Sequence, residues 1–249
     1  ARTQKTSRPS RATKACANID ITPTPDGNVY ALIVNYEEGC SITVNGGTYK
    51  LDKAKDSHMY TGCNEGIIVN GGTFHLGNVG AGSNGQPWMF NAKGQNTAHV
   101  IVNGGTFNSD ILHQHYPFEV MASKEKALKY SDVDKLYTMV EAVAYVNEQH
   151  ESGNWYTNEV GFATLEEAFA AAAKYDKGGA FTTSVTMLKD VKLGAYVTIS
   201  ESVNLNLGEK NITRENGTAL YVNGAGIEVN INGTTGTVSG AQAVYVDNG

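Results

Sequence analysis

Arginine almost vanishes from this chain after its opening residues: beyond Arg11 only Arg214 is left. Cysteine is nearly as scarce. Cys16, Cys40 and Cys63 form neither an even set nor a CxxC pair, which excludes a disulfide framework and a Cys-rich zinc site. One Cys40–Cys63 bond and two buried thiols both stay open. Five prolines in 249 residues exclude a proline-rich disordered tract. No apolar run reaches transmembrane length, so no membrane insertion is expected. Charged residues make up only 18%, and the net charge of −6 argues against general nucleic-acid binding.

What takes their place is glycine, 28 residues of it, among Asn, Thr and Val. That mixture suits short strands joined by tight turns rather than helices. The length admits one large β domain or two smaller ones. Basic charge is concentrated at the start: "ARTQKTSRPSRATKA" carries Arg2, Lys5, Arg8, Arg11 and Lys14 and no acid. It lacks an apolar core and does not read as a signal peptide. A start at Ala fits the loss of an initiator Met or of a longer leader. Residues 1–27 read as a basic arm and lead-in. The arm is either a solvated disordered segment or an anchor that orders on an acidic partner surface, with nucleic acid a third option.

After a first strand at 28–34, one phrase occurs three times: "SITVNGGTYKLD" at 41–52, "GIIVNGGTFHLGN" at 66–78 and "HVIVNGGTFNSD" at 99–110. Its asparagines, Asn45, Asn70 and Asn103, are 25 and 33 residues apart. Unequal spacing around a fixed phrase predicts a solenoid with loops of varying length. The β-branched run before each Asn is a short strand. Gly46-Gly47, Gly71-Gly72 and Gly104-Gly105 turn the chain, since Asn and Gly tolerate positive φ. Tyr49, Phe74 and Phe107 then point inward. An antiparallel hairpin across Asn-Gly is the alternative. Stacking is preferred because identical phrases recur at rung-like distances. It predicts an Asn ladder and an aromatic ladder, one rung about every 4.8 Å. The phrase carries no reactive group, so it reads as a building unit.

Residues 28–116 form the first segment. Its insert at 77–98 is a Gly-rich loop with an apolar knot, Trp88-Met89-Phe90, read either as tucked onto the scaffold or as a binding tip. Residues 117–160 read as an irregular connection with a short helix or strands; 135–148 holds one or two strands. The clearest helix is 164–175. Thr164 and Glu167 form a capping box, Leu165, Ala168, Phe169 and Ala172 share a face, and Gly178-Gly179 ends it. Residues 161–249 hold this helix and a second array of short strands. There "ALYVNG" at 219–224 and "AVYVDNG" at 243–249 echo each other at a distance of 24 residues. The second segment is expected to continue beyond 249.

"GFATLEEAFAAAAKY…TSVTMLKDVKLGAYVTI" resembles the opening of right-handed parallel β-helices of the pectate-lyase-like superfamily, where a short amphipathic helix caps the coil. The "VNGGTF" units and "NLNLGEKNIT…ALYVNG…INGTTGTVSG" resemble repeats in surface proteins of gut bacteria and in fibre or appendage proteins of their phages. The resemblance covers roughly 28–116 and 160–249. It implies a mainly β fold: a right-handed parallel β-helix in two segments with one capping helix.

Relatives of this fold that cleave acidic polysaccharides imply a test for catalysis. Such chemistry needs clustered carboxylates on one face. Asp52, Asp110 and Asp190 are isolated, Asp132 and Asp134 alternate without further acids, and Arg214 is the lone candidate base. No catalytic residue, cofactor or metal is assigned. His113 and His115 lie on one side of a strand, an arrangement that can chelate a metal, but they read more simply as surface histidines. Asn211, Asn216 and Asn232 begin N-x-(S/T) triplets and read as turn residues. The expected function is a non-enzymatic structural protein of a phage virion, a head fibre or capsid decoration. Its basic arm docks on the capsid or another acidic surface. Its body is a homo-oligomer, a trimer being one form, and binds host-surface glycan. The alternative is an extracellular segment of a bacterial adhesin, and a polysaccharide lyase or hydrolase is the weaker third.

Overall fold

The computed structural model describes residues 18–21, 31–35, 41–54, 57–62, 66–77, 88–92, 100–112, 120–151, 155–175 and 183–247. The basic arm, all three cysteines, His113, His115 and Gly178-Gly179 lie outside these residues. The fold is mainly β, with twenty-four short strands and one helix among the described residues. Contacts divide it into two units, residues 1–106 and 107–249.

The first unit contains β1 (Asn18–Ile21), β2 (Ile33–Asn35), β3 (Ile42–Val44), β4 (Thr48–Leu51), β5 (Ser57–Thr61), β6 (Ile67–Val69), β7 (Thr73–Leu76), β8 (Trp88–Ala92) and β9 (Val100–Val102). The division falls inside β10 (Thr106–Phe107). Each strand pairs in parallel with the third strand further along, giving β1–β4–β7, β2–β5–β8 and β3–β6–β9. The strands flanking each Asn-Gly-Gly therefore pair with their counterparts in the next phrase and not with each other, which excludes the hairpin alternative.

Like residues stack on like: Val44 on Val69 on Val102, Tyr49 on Phe74, Leu51 on Leu76. These side chains are buried, while Thr43, Lys50 and His75 on the opposite face are exposed. Alternation of this kind is what a strand with one buried face requires. The Trp88-Met89-Phe90 knot is tucked onto the scaffold, as the first of the two readings has it, and is not a loop tip. It opens β8, which pairs with β5 and buries Met89 and Phe90. Two neighbouring apolar side chains gain more from the core than from solvent.

The second unit runs through β11 (Val120–Met121), β12 (Lys126–Ser131), β13 (Leu136–Glu141), β14 (Ala144–Glu151), β15 (Trp155–Phe162), α1 (Leu165–Tyr175), β16 (Ser184–Met187), β17 (Val191–Lys192), β18 (Val197–Ile199), β19 (Val203–Gly208), β20 (Ile212–Thr213), β21 (Thr218–Asn223), β22 (Val229–Gly233), β23 (Val238–Ser239) and β24 (Gln242–Asp247). Where the sequence predicts an irregular connection, two antiparallel hairpins form, β12–β13 and β14–β15. As a strand the segment buries Ala127 and Leu128.

From β16 onward the step of three returns in parallel: β16–β19–β22, β17–β20–β23 and β18–β21–β24. The two echoing phrases are in register, Leu220 with Val244, Tyr221 with Tyr245 and Val222 with Val246.

The helix forms as its sequence dictates. Thr164 Oγ1 accepts from the Glu167 amide at 3.2 Å, and the Glu167 carboxylate accepts from the Thr164 amide at 3.1 Å. This reciprocal pair satisfies two amides at the helix start. Glu166 and Glu167 in the first turn and Lys174 in the last complement the macrodipole. Leu165, Ala168, Phe169, Ala171 and Ala172 enter a core with Val185, Val197, Ile199 and Leu205. Thr164→Ala is expected to lose about 1 kcal/mol of second-unit stability, read as a lower denaturant midpoint with unchanged slope.

Candidate functional site

The repeated phrase is built from three devices, each with its own physical reason. The second glycine takes a positive φ, 106° at Gly47, 120° at Gly72 and 123° at Gly105. The first glycine is small because the preceding phrase leaves no room. A Cβ at Gly71 would stand 3.0 Å from the Asn45 carbonyl oxygen, and one at Gly104 would stand 2.4 Å from that of Asn70. The asparagine is not in the left-handed region that the sequence reading allowed it. Lys135 is the only non-glycine with positive φ among the described residues.

Asparagine serves the stack instead. Asn70 Nδ2 donates to Asn45 Oδ1 at 2.9 Å, and Asn103 Nδ2 donates to Asn70 Oδ1 at 2.9 Å. Backbone bonds run alongside: the Asn70 amide to the Val44 carbonyl at 2.7 Å, and the Asn103 amide to the Val69 carbonyl at 2.8 Å. Each side-chain bond is exposed and contributes about 1 kcal/mol or less. Gly104→Ala is expected to cost more, about 1–3 kcal/mol, because two backbones must separate; a lower melting temperature with loss of the Asn103 side-chain amide's exchange protection checks it.

Inside the phrase, Phe74 is fully buried. Its ring stacks on Tyr49 at 4.9 Å with 7° between planes, and meets Phe90 edge-on at 5.7 Å. The Tyr49 hydroxyl donates to the Gly46 carbonyl at 2.8 Å, so the polar end of that ring is satisfied by the turn. Phe107 is also fully buried, on the second unit's side of the division. His58 meets the Phe74 ring edge-on at 6.1 Å. It is buried, with neither ring nitrogen hydrogen-bonded. Burial pushes its imidazole down to about 4, against the opposing pull of the Tyr49 and His75 backbone.

The second unit has ladders of its own. Tyr221 stacks on Tyr245 at 5.6 Å and leans on Tyr196 at 5.4 Å. The Tyr221 hydroxyl donates to Asp247 at 2.6 Å, and that bond pushes the phenol up to about 12. Asn211 joins three repeats: its amides donate to Asp190, and its Oδ1 accepts from the Thr237 amide and hydroxyl. Asn232 donates to Asn206 at 3.4 Å.

Most of the acidic and basic residues tested for catalysis are taken up by local partners. Asp190 is held by Asn211. Asp110 accepts from the Leu112 amide at 3.1 Å. Asp134 accepts from Ser131, and Asp132 pairs with Lys135, both within the β12–β13 turn. Arg214 donates to the Thr218 carbonyl and lies over the Tyr196 ring. Among the described residues no three of His, Cys, Asp and Glu come together as a metal site.

One concavity was not foreseen. A cavity of about 480 Å³ opens in the second unit between the β12–β13 hairpin, the end of β15 and α1. Leu128, Phe162 and Ala171, all buried, form its apolar part. Tyr130 and Tyr137, register partners across the hairpin, line one wall with ring centroids 4.8 Å apart. Asp110, Glu167 and Lys174 supply its charges. Burial, together with the nearby Asp110 charge, raises the Tyr137 phenol. The signal for it was the symmetric "YSDVDKLY", a turn with a tyrosine at either end; the helical wall lies some thirty residues on and no local pattern announces it.

Scans against family models, against curated proteins and against solved structures found no match to this chain.

Proposed function

We propose that this chain is a non-enzymatic structural protein of a phage virion, a head fibre or capsid decoration displayed on the virion surface. In this reading both arrays are segments of right-handed parallel β-helix of the pectate-lyase-like kind, and α1 caps the second. Each three-strand step is one coil. The observation that carries the reading is the parallel pairing of every third strand, reinforced by Asn and aromatic ladders. Stacked coils of this kind give a stiff body from short repeats, each contacting only its neighbours. Such a body suits projection and display.

The basic arm, with Arg2, Lys5, Arg8, Arg11 and Lys14, docks on an acidic capsid surface, where opposite charges steer and hold it. The body assembles as a homo-oligomer, a trimer being one closed form, and contacts glycan on the host. Mass spectrometry of purified virions and of washed cell envelopes tests this. Peptides in virions, with an N-terminal peptide starting at Ala1, support it. Peptides confined to envelopes, from a longer precursor, overturn it in favour of a bacterial surface adhesin. Deleting residues 1–14 is expected to abolish capsid docking and leave the melting of the body unchanged.

A further inference from the structure

We propose that the cavity between the β12–β13 hairpin and α1 is a binding site for a neutral glycan, taking one or two pyranose rings. This deepens the reading of a displayed structural protein and rests on it for the choice of a surface glycan over a free sugar.

The cavity's size falls within the range usual for small-ligand sites, about 300–1,000 Å³. Its composition then selects the ligand. Tyr130 is 42% exposed and Tyr137 half-buried, so together they offer aromatic surface and two hydroxyls to an occupant. A pyranose has an apolar face of C–H groups that packs on such rings, and a rim of hydroxyls that both donate and accept.

The polar groups lining the cavity match that double character. Lys174 only donates; Asp110 and Glu167 only accept; the two phenols do both. Glu167 bonds the Thr164 amide through Oε2, and Oε1 is its other acceptor. Glu167 and Lys174 lie two helical turns apart, about 10 Å along α1, so opposite charges bracket the opening. An anionic ligand meets two carboxylates there, which outnumber the single Lys174. A neutral ligand with vicinal hydroxyls satisfies both signs.

Apolar floor, aromatic wall and mixed charged rim are drawn from β12, β13, β15, α1 and the segment at Asp110, which the fold brings together. Gly161 is part of how it does so: a Cβ there would stand 2.2 Å from the Lys126 carbonyl oxygen, so only glycine lets β15 close on β12 beneath the cavity.

The test is saturation-transfer NMR and titration calorimetry on the full chain with cellobiose, lactose and chitobiose, with tetramethylammonium and inorganic phosphate as charged controls. At least one disaccharide is expected to bind, and the charged probes are not. Tyr130→Ala, at an exposed position, is expected to weaken binding about tenfold or more with an unchanged melting temperature. Lys174→Gln, which keeps the helix, is expected to weaken it several-fold. Absence of binding by every disaccharide, binding that both variants leave intact, or preference for a charged probe overturns the site. Detection in virions is read independently, so the site can fail while the virion reading stands, and the reverse.

Discussion

Phe74→Ala is expected to destabilise the first unit by about 3–5 kcal/mol, the range for deleting a large aromatic from a packed core. The reason is its neighbourhood. Phe74 has no accessible surface, and its ring is held by Tyr49 on one side and by Phe90 and His58 at its edges. Removing it opens a void that three rings and two backbones line, and parallel pairing of β4 with β7 keeps those backbones from closing in. Phe74→Tyr is the contrasting variant. In the preceding phrase the tyrosine hydroxyl bonds the Gly46 carbonyl, and Gly71 offers the equivalent acceptor. Its loss is expected to be under about 1.5 kcal/mol. Urea unfolding of the two variants checks both values. Equal losses would show that the ring's packing is not what holds the repeat.

Acid is expected to weaken the first unit through His58. Its pKa falls from 6.5 in the unfolded chain to about 4 in the fold, because burial disfavours the imidazolium. Between these values the unfolded chain binds a proton that the native chain does not, so stability rises with pH and is lost as pH falls from 6.5 towards 4. The slope approaches 1.4 kcal/mol per pH unit, and the full loss is about 3 kcal/mol. Measuring between pH 7 and pH 5 keeps most carboxylate titration out of the comparison. His58→Leu, which suits the apolar surroundings of Phe74, is expected to flatten this slope. Parallel pH profiles for the variant and the natural chain would remove His58 as the cause.

The features read correctly from the sequence are those in which local chemistry and tertiary role coincide. Asn45, Asn70 and Asn103 form the predicted ladder, and Tyr49 and Phe74 stack, because a repeat that pairs in register must place equal residues side by side. The capping box at Thr164 and Glu167 is visible because both partners lie within four residues. What stayed hidden depends on distant partners. The Trp88-Met89-Phe90 segment lies among glycines and shows no alternation; only pairing with β5 makes it a strand. The hairpin over 126–141 mixes charged, aromatic and small residues on both faces, and of its strand residues only Ala127 and Leu128 are buried. The asparagine ladder was legible, but the left-handed turn expected of asparagine does not form, for a related reason. Asn-Gly has a strong local turn meaning, and here the stack overrides it: the glycines bend the chain and the asparagine amide is left to bond along the repeat. The cavity needed Asp110, the hairpin and α1 to meet, and nothing in any one segment encodes that.

The central claim is that each VNGGT(F/Y) phrase is a building unit stacked in parallel register on the next. Lys50 and His75 are register partners on the exposed face of β4 and β7. Parallel neighbours lie about 4.8 Å apart, within reach of a disulfide. The most direct measurement is oxidative cross-linking of Lys50→Cys/His75→Cys, with the three natural cysteines replaced by serine. Lys50→Cys/Thr73→Cys, two residues out of register on the same face, is the control. Stacking in register predicts a rapid intramolecular disulfide in the first protein and little in the second. A faster cross-link in the control, or only intermolecular links in both, would contradict it.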